Sequence, residues 1–261
     1  MESAPDLLTW LAAPIDSSRG HVVDFATSWH GRLMVVAWCF LFPIGILAAR
    51  FFKITPRQDW PRTLDNPVWW HTHLGTQYTG GVVMLVGIGL ALAIPEGAGP
   101  WSGWHRLLGW TGVVLAALQF GCGWLRGSKG GPTAPAADGS LHGDHYDMTP
   151  RRRAFERVHK SAGYVPLMAA FAAIPLGLWL ANGPRWKWLG LLAWWSALIE
   201  IFALLQRRGW AVDTYQAIWG PGPQHPGNHR TPIGLGLTRL KQDLDEGTRM
   251  PHRSSARDRR G

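Results

Sequence analysis

Apolar residues are gathered into five blocks, roughly 26–52, 68–94, 103–125, 159–181 and 186–206, and the stretches between them are polar and rich in Gly and Pro. Each block reaches about the 20 residues that a helix needs to cross the hydrocarbon core of a bilayer. The mean hydropathy of the chain is near zero, but averaging conceals this segregation. The pairs Asn66-Pro67, Thr149-Pro150 and Gly183-Pro184 place proline at a first helical turn, where the missing N–H costs nothing. The pattern therefore predicts an all-α integral membrane bundle of five transmembrane helices. Seventeen Trp fit that picture, because many flank the blocks, among them Trp29, Trp69, Trp70, Trp101, Trp104, Trp186 and Trp188. Indoles favour the membrane interface.

Charge then orients the bundle. The formal net charge is +9, but Lys and Arg crowd alternate connections. The first loop has Arg50, Lys53, Arg57 and Arg62, the third has Arg126, Lys129 and Arg151 to Arg157, and the tail starts at Arg207 and Arg208; the second loop, near 95–102, has none. This bias predicts an N-terminus outside and a C-terminus in the cytoplasm, and it makes nucleic acid an unneeded partner. Three regions follow: an extracytoplasmic segment 1–25, a transmembrane domain 26–208 and a cytoplasmic tail 209–261 whose charged end is expected to be disordered. Residues 1–25 carry Glu2, Asp6, Asp16 and Asp24 without a basic start and apolar run, so no signal peptide is expected. The loop 127–148 reads as flexible. Cys39 and Cys122 lie inside apolar blocks and belong to no C-x-x-C motif, which argues against zinc, thiol redox chemistry and covalent haem.

Chemistry enters with four histidines, His30, His73, His105 and His159, each near the N-terminal end of a different block. Consecutive membrane helices run antiparallel, so the first and third ends share one face of the bilayer and the second and fourth share the other. Two pairs result, His30 with His105 and His73 with His159. Intramembrane histidines are costly without a partner, and an imidazole pair across a helix bundle clamps a haem iron from both sides. Two non-covalent haem b groups between antiparallel helices are therefore expected, with bis-imidazole ligation leaving no open position for a gas. His71 lies roughly 200° around the helix from His73, so only one faces the interior, and the deeper His73, beside Gly75, Thr76 and Gln77, is favoured.

The remaining polar groups fill out the expectation. Arg32 and Arg106 on the outer side, and Arg157 and Lys160 on the inner side, are the candidates to receive haem carboxylates. Gly31, Gly109 and Gly163 follow the ligands and would let a flat group approach, or let helices pack closely. His142 and His145 in the third loop, His225 and His229 in the tail, and His21 read as incidental. Glu200, the acid within the fifth block, is expected to pair inside the bundle or to be protonated by burial.

These motifs resemble a family. His30-Gly31-Arg32-Leu33-Met34-Val35-Val36-Ala37-Trp38 with Pro43 and Ala49-Arg50, Trp69-Trp70-His71-Thr72-His73 with Gln77, His105-Arg106-Leu107-Leu108-Gly109 with Leu118-Gln119, and His159 with Gly163-Tyr164 are together similar to the cytochrome b561 core over residues 28–206. The form is nearest to the five-helix core of members fused to a DOMON domain, without that domain here. The resemblance implies two b-type haems, ligated between the first and third helices and between the second and fourth. It also implies transmembrane electron transfer from a cytoplasmic reductant such as ascorbate to an outer acceptor such as a ferric chelate. A rival expectation is a haem b membrane anchor that exchanges with quinone and serves a soluble redox partner protein. The expected setting is membrane lipid, as a multi-pass protein of a cell membrane, the bacterial inner membrane.

Overall fold

The computed structural model describes residues 6–21, 23–97, 99–130 and 137–240. Five helices are long and apolar enough to cross a membrane: Phe25–Phe51, Val68–Ala91, Pro100–Trp124, Pro150–Leu180 and Arg185–Arg207, the first to fifth spans. Among the described residues there are no strands, as a bilayer demands of a chain that must satisfy each backbone group within its own segment. Outward faces carry large apolar residues such as Leu85, Val114, Leu118 and Leu192. The first span packs along the second and the third along the fourth. The fifth rests on both pairs through stacked rings, Trp194 on Phe40 and Trp195 on Phe171.

Prolines shape two spans. Pro43 cannot donate to the carbonyl of Cys39, and the first span widens to π-helix over Val36–Leu41, with the Phe42 N–H bonded back to Ala37. The freed Cys39 carbonyl accepts the indole N–H of Trp194 at 2.7 Å, which ties the fifth span to the first. In the fourth span Pro166 cannot donate to Ala162, and the helix breaks there, between Pro150–Ala162 and Tyr164–Leu180. Thr149 caps its start, so the helix begins nine residues before the apolar block and carries His159 well below its entry.

The two ends of the bundle differ. On the side where the first span starts, a short helix Leu7–Ala12 and the segment after it are tied to the turn before the fifth span. Asn182 is 2% exposed and left-handed, φ 47°. Its carboxamide accepts from the Asp16 N–H at 3.0 Å and donates to the carbonyls of Asp16 and Arg19 at 3.0 and 2.7 Å.

On the opposite side, the first loop, the third loop and the tail form a folded cap. Trp69, Met148, Tyr215, Ile218 and Trp219 make one buried cluster, and Ile54, Trp60, Val212 and Ala217 make another. The expectation of a flexible third loop is therefore corrected for its described part. Asp144 accepts from Ser128 and Thr149, Lys129 pairs with Asp65, and His145, read as incidental, is 1% exposed against Tyr215 and Trp219. Positions 131–136 of that loop, and the charged terminal stretch expected to be disordered, lie outside the described residues. The tail is held by Asp213, which receives the Arg239 guanidinium at 2.8 Å, and by the helix Thr214–Trp219 that Asp213 caps. Glu200 also departs from expectation, being exposed on the outward face of the fifth span beside Ile199 and Ile201.

Two outcomes are expected. Asn182→Ala removes four hydrogen bonds and leaves a β-carbon at a positive φ; it should cost about 2–4 kcal/mol, visible as a lowered Tm in detergent and faster proteolysis of residues 6–21. An unchanged Tm would mean that this end is held elsewhere. His145 faces Arg152, Glu156, Lys160 and Lys129, with Tyr215 on its ring, and burial followed by the Arg152 charge holds its pKa well below the usual value of 6.5. The unfolded state therefore binds the extra proton first, so cap stability is full above about pH 6.5 and falls by up to roughly 1.4 kcal/mol per unit below it. Hydrogen exchange in 211–240 should accelerate at pH 5 in the native chain and much less in His145→Phe; equal acceleration in both would assign the acid sensitivity to other groups.

Candidate functional site

The antiparallel order brings the four histidines together as two pairs. The His30 and His105 rings have centroids 6.2 Å apart at 89°, and the His73 and His159 rings 6.3 Å apart at 87°. Between the two levels lies a dry plug of Trp38, Phe42, Met84, Ala116 and Ala170, each lying between the ligand level and the far level of its own span. Following the first span from position 30 to position 45, where the second pair is reached, gives roughly 20 Å between levels.

Three of the four rings are oriented by backbone. His30 Nδ1 lies 2.9 Å from the Gly87 carbonyl, His73 Nδ1 3.0 Å from that of Gly45 and His105 Nδ1 2.9 Å from that of Ala173. A carbonyl only accepts, so each Nδ1 must carry the hydrogen, and each Nε2 is left with a lone pair. Metal-binding imidazoles are held in this way. The acceptors Gly87, Gly45 and Ala173 are small residues on closely packed helices. A β-carbon at Gly45 would lie 2.2 Å from Thr76 Oγ1, and one at Gly177 would lie 2.8 Å from the His105 ring.

The pairs fit a metal that brings its own equatorial ligands. An imidazole nitrogen stands about 2 Å from a metal it binds, and the ring centre about 1 Å behind it, so two rings on opposite sides of one metal have centroids about 6 Å apart, as both pairs do. Among the described residues no three His, Cys, Asp or Glu gather as a metal site; a metal at either pair would have two imidazoles to hold it, and a macrocycle would have to supply the rest. The His73 and His159 pair opens on a cavity of about 540 Å³, walled by Trp38, Phe42, Phe120, Leu167 and Ile218 and rimmed by Arg50, Lys53, Arg126, Arg152 and Lys160. Apolar walls with a basic rim suit a flat apolar group bearing carboxylates.

The other expected residues are distributed unevenly. His71 is exposed at the rim of this cavity, and His73 is the ring turned inward. Lys160 lines the cavity, its ammonium on Glu156 Oε2 at 2.5 Å and on the Ile233 carbonyl at 3.0 Å. Arg157 is exposed and does not line it. At the other pair, Arg32 is exposed and stacks on Trp29, and Arg106 pairs with Glu96 at 2.6 Å. Gly31 faces open space.

Sequence reading missed Arg50, Arg126 and Arg152 as lining groups, because a topology-setting arginine has the same signature. Arg50 donates to Tyr164, Gln206 and the Leu235 carbonyl, and Arg126 lies over Trp70 at 4.3 Å. Lys53, fully buried, donates to the carbonyls of Arg50 and Val212; burial, with the Lys160 charge adding, pulls its pKa down to about 7.

Residues 29–126 match the family model for eukaryotic cytochrome b561. Ferric-chelate reductase 1 of Bos taurus is 31% identical over 173 residues, which is 63% of this chain and 25% of that protein, and its Homo sapiens counterpart is 31% identical over 171, 63% and 26%. A cytochrome b561 and DOMON domain-containing protein of Arabidopsis thaliana is 26% identical over 160 residues, 60% of this chain and 33% of that one. The chain thus spans about a quarter to a third of these relatives. They are animal and plant proteins, which gives the expected bacterial membrane no support. No solved structure matches. The matched region holds three of the four paired histidines, the carbonyls that orient His30 and His73, and the first three spans of a five-span helical bundle, so over this part of its length the chain is similar to cytochrome b561.

Proposed function

We propose that the chain carries electrons across a membrane through two haem b groups, one held between His30 and His105 and the other between His73 and His159. The observation that carries this reading is the pair geometry: two crossed imidazole pairs at metal-spanning distance, with the Nδ1–H of three rings committed to carbonyls. Haem b bound at each pair would supply one-electron exchange between ferrous and ferric iron.

The protein's own part is to hold, insulate and gate. His30 with His105, and His73 with His159, would each hold one haem b through two imidazoles, which would leave no iron position open to a gas. The plug of Trp38, Phe42 and Met84 keeps water from the space between the levels. Arg32 and Arg106 stand ready for carboxylates at the first pair, and Lys160, with Arg126 and Arg152, at the second. The cap made by the third loop and the tail covers the second cavity, so a donor on that side reaches it past Lys53, Arg50 and the 233–237 segment. The Lys and Arg bias supports an N-terminus outside and the cap in the cytoplasm. The relatives named ferric-chelate reductase support a ferric chelate as acceptor, which this reading places outside, with a small reductant such as ascorbate as the inner donor it proposes. Residues 26–208 would form the conducting domain, in a cell membrane.

Purified protein should contain two haem b per chain by the pyridine haemochrome assay; one haem would make one histidine pair structural. His105→Ala should lose one haem and keep the spectrum of the other, and loss of both from a folded variant would count against separate sites. His73→Ala should lose the inner haem while His71→Ala keeps both, and the reverse result would reassign the ligand. In vesicles enclosing ascorbate, the protein should reduce an external ferric chelate, and a quinol but not ascorbate serving as donor would favour the quinone-linked anchor instead.

A further inference from the structure

Of the four imidazoles, His159 has a buried Nδ1 with no acceptor, and on the third span Gln119 has a buried Oε1 with no donor. The other three rings follow one rule. The spans exchange carbonyls in couples: His30 of the first bonds Gly87 of the second, His73 of the second bonds Gly45 of the first, and His105 of the third bonds Ala173 of the fourth. Gly45 is fifteen residues past His30, Gly87 fourteen past His73, and Ala173 fourteen past His159. The same step from His105 reaches Gln119.

At the other three positions a small residue lets the ring reach the backbone. Position 119 instead carries a long side chain that ends in an acceptor. Gln119 and His159 line the same cavity. Gly163, one turn past His159, lies beside the amide: a β-carbon there would be in ordinary contact with Gln119 Oε1, at 3.8 Å. Phe155 stacks on the His159 ring at 5.1 Å.

We infer that Gln119 is a positioning residue for the inner haem: its Oε1 accepts the Nδ1–H of His159 when that ring is engaged with metal, completing with a side chain the set that backbone carbonyls make at the other three ligands. The inference rests on the reading that His73 and His159 hold one haem. Its consequence is that this ligand, unlike the others, can be tuned by substitution. A stronger acceptor makes the imidazole a better donor to iron and favours the ferric state; removal of the acceptor favours the ferrous state.

The test is spectroelectrochemical titration of the purified two-haem protein, with the inner couple identified as the one lost in His73→Ala, and the electron paramagnetic resonance of the ferric state recorded alongside. Gln119→Met, close in shape but without a strong acceptor, should move the inner equilibrium toward ferrous iron by about tenfold, which is about 59 mV for one electron. Gln119→Glu should move it the opposite way. The outer couple should stay in place in both. If Gln119→Met instead sheds only the inner haem while Gln119→Glu keeps it at a lowered potential, the inference stands, since loss of such a partner weakens metal affinity by roughly 10–100-fold. An inner couple unmoved in both variants, or moved the same way in both, overturns it while leaving the two-haem reading intact. A native protein lacking the inner haem overturns both.

Discussion

A membrane-buried imidazole has two nitrogens to satisfy and no water to satisfy them, and the rest of this structure follows from how that demand is met. Water-free surroundings make an unpaired polar nitrogen expensive, so each ring must find an acceptor on a neighbouring helix and a second partner across the gap. The acceptors are backbone carbonyls at Gly45, Gly87 and Ala173. They can be reached only where side chains are absent or minimal, and reaching them locks the first span to the second and the third to the fourth. Ligand orientation and helix packing are thus one interaction seen from two sides.

The plug between the two levels obeys the same constraint from the apolar side. Trp38 and Phe42 meet edge to face at 4.7 Å, and Gly80 accepts the Phe42 ring so closely that a β-carbon there would lie 2.7 Å from it. The π-helical turn just above Pro43 positions these rings, and the carbonyl it frees is taken by Trp194. A proline that would weaken an isolated helix here recruits the fifth span.

The two ends of the bundle answer different needs. The end bearing His30 and His105 is closed lightly, by the Asn182 carboxamide and a short helix. The other is covered by a folded cap in which buried Arg152, Glu156 and His145 meet the half-buried Lys160. Glu156 receives all three cationic or imidazole partners within 3.5 Å, so the charges of the fourth span's entry turn are spent on one another and on the Ile233 carbonyl of the tail.

Hydrophobic blocks of bilayer length, proline starts and four histidines at helix entries determined the five spans, their antiparallel order and the two pairs, because crossing a bilayer leaves a helix few other arrangements. Helical angle showed that His71 and His73 cannot both face inward, and the depth of His73 with its neighbours Gly75, Thr76 and Gln77 made it the expected one. What tertiary structure decided is everything that depends on contacts between distant segments. The acceptor carbonyls carry no side-chain signal beyond Gly or Ala at a fixed step past another span's histidine. His145 reads as a loop histidine until the tail folds over it, and Glu200 reads as an interior acid until the fifth span's outward face is known. Arg50, Arg126 and Arg152 look like topology charges in the chain and become cavity lining only when the cap closes, since the sequence encodes which groups must avoid lipid but not which of them end up facing one another.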